Sequence, residues 1–122
     1  KFIFTNGSRS HAERAAERLG VSDHFEDIFD IVAAGLTPKP AKESYDLFVA
    51  LHRIVGPNAV MFEDIARNLR VPKEIGMTTV LIVPRNFEPT YSEIWERDPD
   101  QADAVDYVTD DLKAFLKAVA AR

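Results

Sequence analysis

The sequence predicts a doubly wound, mainly parallel α/β sheet, and three observations predict it. Short apolar runs alternate along the chain with amphipathic helical stretches, and strands joined by helices at crossover length pair in parallel. Residues 78–83 (TTVLIV) are uncharged and rich in β-branched side chains, which marks a strand covered on both faces. Turn chemistry at Asn6-Gly7, Gly20 and Gly56-Pro57 punctuates these runs.

Taken in order, residues 2–5 (FIFT) form a first strand closed by Asn6-Gly7. A helix follows, with Ser10 and Glu13 spaced as a capping box. Ala12, Ala15, Ala16 and Leu19 recur on one face of that helix, and Gly20 ends it. Residues 28–33 (IFDIVA) read as a second strand and residues 36–40 (LTPKP) as a rigid loop, with Pro40 opening the next helix. That helix turns Leu47, Phe48, Leu51, Ile54 and Val55 inward and stops at Gly56-Pro57. A third strand, 59–62 (AVMF), runs into Glu63-Asp64, and a short helix from Ile65 is interrupted at Pro72. Beyond the 78–83 strand, residues 84–104 are rich in Pro, Asp and Glu and form a surface excursion, with a helical turn near 93–97. Residues 105–108 (VDYV) make the last strand. Thr109 caps a final helix with acidic residues Asp110 and Asp111 in its first turn, and Leu112, Phe115, Leu116 and Val119 face the core.

The bulk properties exclude several functions. The 122 residues suit a single core domain spanning 1–122. A net charge of −5 with scattered Lys and Arg argues against nucleic acid and anionic membrane as partners. Zero cysteines remove disulfides and thiolate chemistry and fit a reducing, cytoplasmic setting. No apolar run reaches the length of a membrane span, and no signal peptide is visible. His11, His24 and His52 show no ligand spacing. Tyr91 and Trp95 read as anchors of the excursion, while Asp98, Asp100 and Asp103 lack the pattern of a calcium loop.

In open parallel sheets ligands bind beyond the carboxyl ends of the strands, and three such ends carry chemistry. Thr5-Asn6-Gly7-Ser8 offers a hydroxyl and backbone N–H groups ahead of a helix, a phosphate-sized cradle; a plain Asn-Gly turn with Ser8 or Ser10 as helix cap fits too. Lys39 stands between two prolines, a cation that can offset phosphoryl charge or a solvated turn lysine. Glu63 and Asp64, with Asn68 beyond, offer hard oxygen ligands suited to Mg²⁺, or an acidic helix cap. Taken together, a hydroxyl-amide turn, a lysine and an acidic end on successive strands describe a phosphoryl-transfer pocket.

These residues resemble the motifs of the haloacid dehalogenase superfamily of phosphatases. "FTNGS" resembles its second motif, with Thr5 as the phosphoryl-binding hydroxyl and Asn6 and Gly7 beside it. "PKP" resembles the third, with Lys39 as the cation. "FEDIARNL" resembles the fourth, with Asp64 as magnesium ligand and Glu63 and Asn68 in support. The stretch "FEDIARNLRVPKEIGMTTVLIVP" is closest to the pyrimidine 5′-nucleotidase-like branch.

The resemblance implies a Mg²⁺-dependent phosphomonoester hydrolase acting through an aspartyl-phosphate, with a small phosphorylated substrate such as a nucleoside 5′-monophosphate. It also implies a first motif, Asp-x-Asp-x-Thr, on a central strand, and a helical cap; neither occurs here, since "DPDQA" at 98–102 follows no apolar strand. The chain, opening on Lys1, therefore reads as the carboxy-terminal portion of such a core. It is expected to be inactive alone, and its missing strand is expected from the rest of a longer chain or from a partner. The alternative is a non-catalytic α/β module that binds phosphate or metal. A receiver-like or flavodoxin-like domain leaves Thr5 and Lys39 without a role.

Overall fold

Apolar runs of three to five residues build two parallel ladders in the computed structural model, which describes residues 1–85 and 103–122. The chain divides into two units, Lys1–Ile54 and Val55–Arg122. The expected turn at 93–97, with Tyr91, Trp95, Asp98 and Asp100, lies outside the described residues.

In the first unit β1 (Phe2–Phe4) pairs in parallel with β2 (Asp27–Phe29), Ile3 opposite Ile28. Between them runs α1 (Arg9–Arg18), and α2 (Lys42–His52) follows β2. The core is aromatic. Phe4 stacks on Phe48 at 4.9 Å between ring centroids and meets Phe29 edge-on at 5.0 Å, while Tyr45 is fully buried against Phe4. This cluster, rather than the aliphatic pattern, chooses the inward face of α2. Ser44, Tyr45 and Phe48 are buried, but Leu47 and Leu51 are 48% and 62% exposed, contrary to expectation. The helix also ends earlier than Gly56, at Arg53, whose left-handed backbone closes it.

Three further boundaries differ from the sequence reading. Ser8, not Ser10, caps α1: its hydroxyl accepts the His11 N–H at 3.2 Å, and Glu13 pairs with Arg9 instead of closing a capping box. Ala12 and Ala16 are buried as expected, but Leu19 is exposed. The second strand stops at Phe29 because the Asp30 carboxylate captures backbone N–H groups and turns the chain through residues 31–36.

At the amino end of β2, Asp27 accepts from the Arg9 guanidinium at 2.7 Å and meets His52 Nε2 at 2.9 Å. The Arg9 hydrogen bond, then that of His52, holds this carboxyl far below the usual carboxylate range.

The second unit holds β3 (Val60–Glu63), β4 (Thr78–Ile82) and β5 (Tyr107–Thr109) in the order β3-β4-β5, all parallel. Central β4 buries Thr79, Val80 and Leu81, as its uncharged sequence requires. A 3₁₀ turn at Ala66–Leu69 leads into α3 (Arg70–Glu74). Pro72 does not interrupt α3. It occupies the first turn, where a helical N–H has no intrahelical acceptor to lose.

The last strand lies two residues later than its predicted start. Asp111 rather than Thr109 caps α4 (Leu112–Ala120), accepting the Ala114 N–H at 2.9 Å. Of the apolar residues expected inside, Phe115 is half-buried, edge-on to Phe62 and Tyr107; Leu112, Leu116 and Val119 are exposed. Among the described residues, no helix is long and apolar enough to cross a membrane.

One side chain fastens the entry of β5 to β4. Asp106 Oδ2 accepts the Thr79 N–H at 3.0 Å, Oδ1 pairs with Lys73, and the fully buried Thr79 hydroxyl donates to the Ala104 carbonyl at 2.6 Å. The Lys73 contact and then the Thr79 amide lower the Asp106 pKa. Replacing Asp106 by Ala strands the buried Thr79 N–H and is expected to cost about 2 kcal/mol in urea denaturation. Because folding lowers this pKa, the contribution is complete above the unfolded value of about 4 and is lost as pH falls through the folded value. The gap between variant and wild type should therefore narrow in acid. An equal gap at low and neutral pH would show that the charge has no part in it.

Candidate functional site

Local rules explain how the first strand end is shaped. β1 keeps its ladder one residue beyond Phe4, since the Thr5 N–H donates to the Phe29 carbonyl at 3.0 Å. The chain then folds over its own hydroxyl: the Gly7 N–H donates to Thr5 Oγ1 at 3.0 Å. A Cβ on Gly7 would sit 3.3 Å from that oxygen, so glycine keeps the turn tight. Gly7 returns its carbonyl to the Ile31 N–H at 3.1 Å, and Asp30 takes the Arg9 N–H at 3.0 Å. The turn is thus held at Thr5, Gly7 and Arg9 by three consecutive residues, 29–31. No acceptor among the described residues takes the backbone N–H of Asn6 or Ser8.

Asn6 joins this turn to the loop that carries Lys39. Its side-chain oxygen accepts the Lys39 N–H at 2.7 Å, and its side-chain nitrogen donates to the Lys39 carbonyl at 3.1 Å. Such two-point pairing copies a backbone ladder and places residue 39 with little freedom. The Lys39 ammonium reaches back to the Phe4 carbonyl at 3.0 Å and lies 5.0 Å from the Phe4 ring centroid. Thr5, Asn6, Gly7 and Lys39 therefore form one group at the carboxyl end of β1. The Asn6 side-chain amide bonds Lys39 at both its oxygen and its nitrogen, and its backbone N–H has no acceptor among the described residues.

The acidic group belongs to the second unit. Glu63 ends β3 and is buried; its Oε1 accepts the backbone N–H groups of Asp64 and Ile65 at 3.1 and 3.3 Å. The carboxylate shapes the turn, and Asp64 is exposed immediately beyond it. Asn68 is buried in the following 3₁₀ turn. Asp64 offers a hard oxygen that suits Mg²⁺ as one ligand among waters and other groups. Among the described residues, no cluster of three or more His, Asp or Glu is arranged to hold a metal. The residues present thus fit part of a magnesium site.

Asp30 is the residue that sequence reasoning missed. It is 8% exposed, with Oδ1 accepting the Ala33 N–H at 2.9 Å and Oδ2 the Arg9 N–H. The Ala33 amide, opposed by burial and helped by the Arg9 amide, lowers its pKa. The available signal was an acidic residue inside an apolar run, where a strand has no use for it. A shallow pocket of about 220 Å³, lined by Ile3, Arg9, Glu13, Phe25, Glu26 and Asp27 among others, includes none of Thr5, Asn6, Gly7 or Lys39.

Parallel ladders whose polar turns and helices follow the strands define a protein of the α/β class. The haloacid dehalogenase-like hydrolase family model matches residues 1–76, more than half of the 122. The chain belongs to that family. A solved haloacid dehalogenase-like family hydrolase from Streptococcus pneumoniae shares the fold at a TM-score of 0.64 and 16% identity, over 97% of this chain and 51% of that one. The chain thus spans about half the length of that neighbour. No curated protein compared with it by sequence matches.

Proposed function

We propose that these residues form part of a Mg²⁺-dependent phosphomonoester hydrolase acting on nucleoside 5′-monophosphates or similarly small phosphates. The observation that carries this reading is the Asn6 clamp, which holds Lys39 against the Thr5-Gly7 turn. A hydroxyl, backbone N–H groups and an ammonium at one strand end suit the three equatorial oxygens of a phosphoryl group.

In this mechanism Thr5 Oγ1 and the Asn6 and Ser8 N–H groups receive phosphoryl oxygens, and Lys39 offsets their charge. Asp64 would supply an oxygen ligand to a magnesium ion, and the chemistry such an ion would supply is Lewis-acid polarisation. An aspartate outside these 122 residues attacks phosphorus and displaces the alcohol. Water then releases phosphate from the aspartyl-phosphate and regenerates the carboxylate. The strand bearing that aspartate comes from the rest of a longer chain or from a partner. In support, β1 and β3 each have a ladder partner on one side only among the described residues, and an open apolar edge invites a strand. The pyrimidine nucleotide preference rests on the likeness of residues 62–84 to that branch, and the cytoplasmic setting on the lack of cysteine.

Phosphate release from uridine, cytidine and adenosine 5′-monophosphates by the full-length protein tests the reading. Release should require Mg²⁺, stop with chelator, and be absent from residues 1–122 alone. Failure of the full-length protein to show metal-dependent release overturns the hydrolase. Phosphate binding without hydrolysis would instead favour the binding-module reading, which the single exposed carboxylate after β3 already suits.

A further inference from the structure

We propose that Asp30 is the positioning residue of the phosphate turn, a role that rests on the preceding reading of that turn as a phosphate site. A buried carboxylate beside an anion site is an unfavourable neighbour on charge alone. Its retention therefore calls for a geometric reason, and the hydrogen bonds supply one. Oδ2 takes the first N–H of α1, that of Arg9, at 3.0 Å, while Oδ1 takes Ala33 N–H at 2.9 Å. Helix N-termini leave such N–H groups without intrahelical partners; here Ser8 takes that of His11 and Asp30 that of Arg9. The adjoining Ile31 N–H fixes the Gly7 carbonyl at 3.1 Å. Asp30 thus sets the start of α1 relative to β2, and with it the direction of the 5–8 turn. One oxygen per amide makes the carboxylate specific to the task, since an asparagine would turn an NH₂ group towards one of the two N–H donors.

Charge and geometry make opposite forecasts for Asp30→Asn. Removing a negative charge beside an anion tightens binding; losing the turn's direction weakens it. Inorganic phosphate is titrated into the full-length wild type and variant, and backbone amides are followed by NMR. The expected result is a phosphate Kd raised about tenfold or more, together with displaced Arg9, Gly7 and Ser8 amide resonances in a variant that stays folded by circular dichroism. A folded variant with equal or tighter phosphate binding overturns the proposal. Should the variant fail to fold, hydrogen exchange on the wild type decides: the Arg9 amide should be protected, and rapid exchange overturns the proposal. If the wild type binds no phosphate, the phosphate-site reading falls and the positioning of a ligand falls with it. The Arg9 and Gly7 amides then report only whether Asp30 holds the turn, so the two failures remain distinguishable.

Discussion

Replacing Lys39 by Met in the full-length protein should lower kcat for a phosphomonoester about 10²–10³-fold, the loss typical of one preorganised charge-stabilising donor. The main chain at residue 39 is held by the Asn6 side chain through two hydrogen bonds and does not depend on the ammonium. Methionine keeps an apolar stem against the Phe4 ring, so the fold loses the ammonium contacts with that ring and its carbonyl. On a half-buried side chain these amount to about 1 kcal/mol. A large fall in kcat with a small change in Tm would place the ammonium in the chemistry. Arginine should not restore the rate, because its planar fork cannot replace a compact ammonium at a carbonyl 3.0 Å away. A Lys39→Met enzyme with full turnover would remove Lys39 from the mechanism.

The readable part of this molecule was its periodic part. The order of strands and helices follows from apolar spacing, and the buried centre of the second ladder follows from TTVLIV alone. The candidate residues were found because parallel sheets present their chemistry in one kind of place, just past each strand. Features set by contacts far apart in sequence were hidden. Asn6 is a candidate phosphate ligand, and nothing local announces that its side-chain amide also bonds Lys39, 33 residues away. Glu63 is a candidate metal support, and nothing local announces that its Oε1 also closes the turn that exposes Asp64.

Competing local signals account for the remaining differences. Ser8 and Ser10 are equivalent as caps in sequence, and the bond to His11 N–H chooses Ser8. Asp30 sits in IFDIVA, where apolar neighbours on both sides favour a strand; its carboxylate won by taking the Ala33 amide, which a strand would have left to a partner, together with the Arg9 amide at the start of α1. Of the residues expected inward around α2, Phe48 and Ile54 pack on the core, whereas Leu47 and Leu51 are exposed and the less hydrophobic Ser44 and Tyr45 take the inward face. The rings of Phe2, Phe4 and Phe29 settle that choice.

Gly56→Ala should be the most damaging single-methyl addition in the second unit, costing about 3 kcal/mol or more. Gly56 opens the turn Gly56–Asn58, directly against the end of α3. A Cβ there would overlap the Ile75 carbonyl oxygen and lie 2.9 Å from its carbon. Both atoms are main chain, so no rotamer change relieves the clash. The surroundings cannot yield easily either. Gly76, at φ +89°, turns the chain from α3 into β4, and a Cβ there would meet the Pro57 ring at 3.3 Å. Two residues on, the Thr78 N–H donates to the Ala59 carbonyl at 3.0 Å and starts the β3–β4 ladder. Moving the 75–76 turn away from residue 56 therefore pulls on that register, and with it on the strand end that carries Glu63 and Asp64. Gly20→Ala supplies the comparison. Its φ of +70° strains an alanine, but nothing lies within 4 Å, so its cost should stay near 1 kcal/mol. Urea denaturation of the two variants separates them, and a Gly56→Ala protein as stable as Gly20→Ala would mean that the Ile75 turn does not pack on Gly56 in solution.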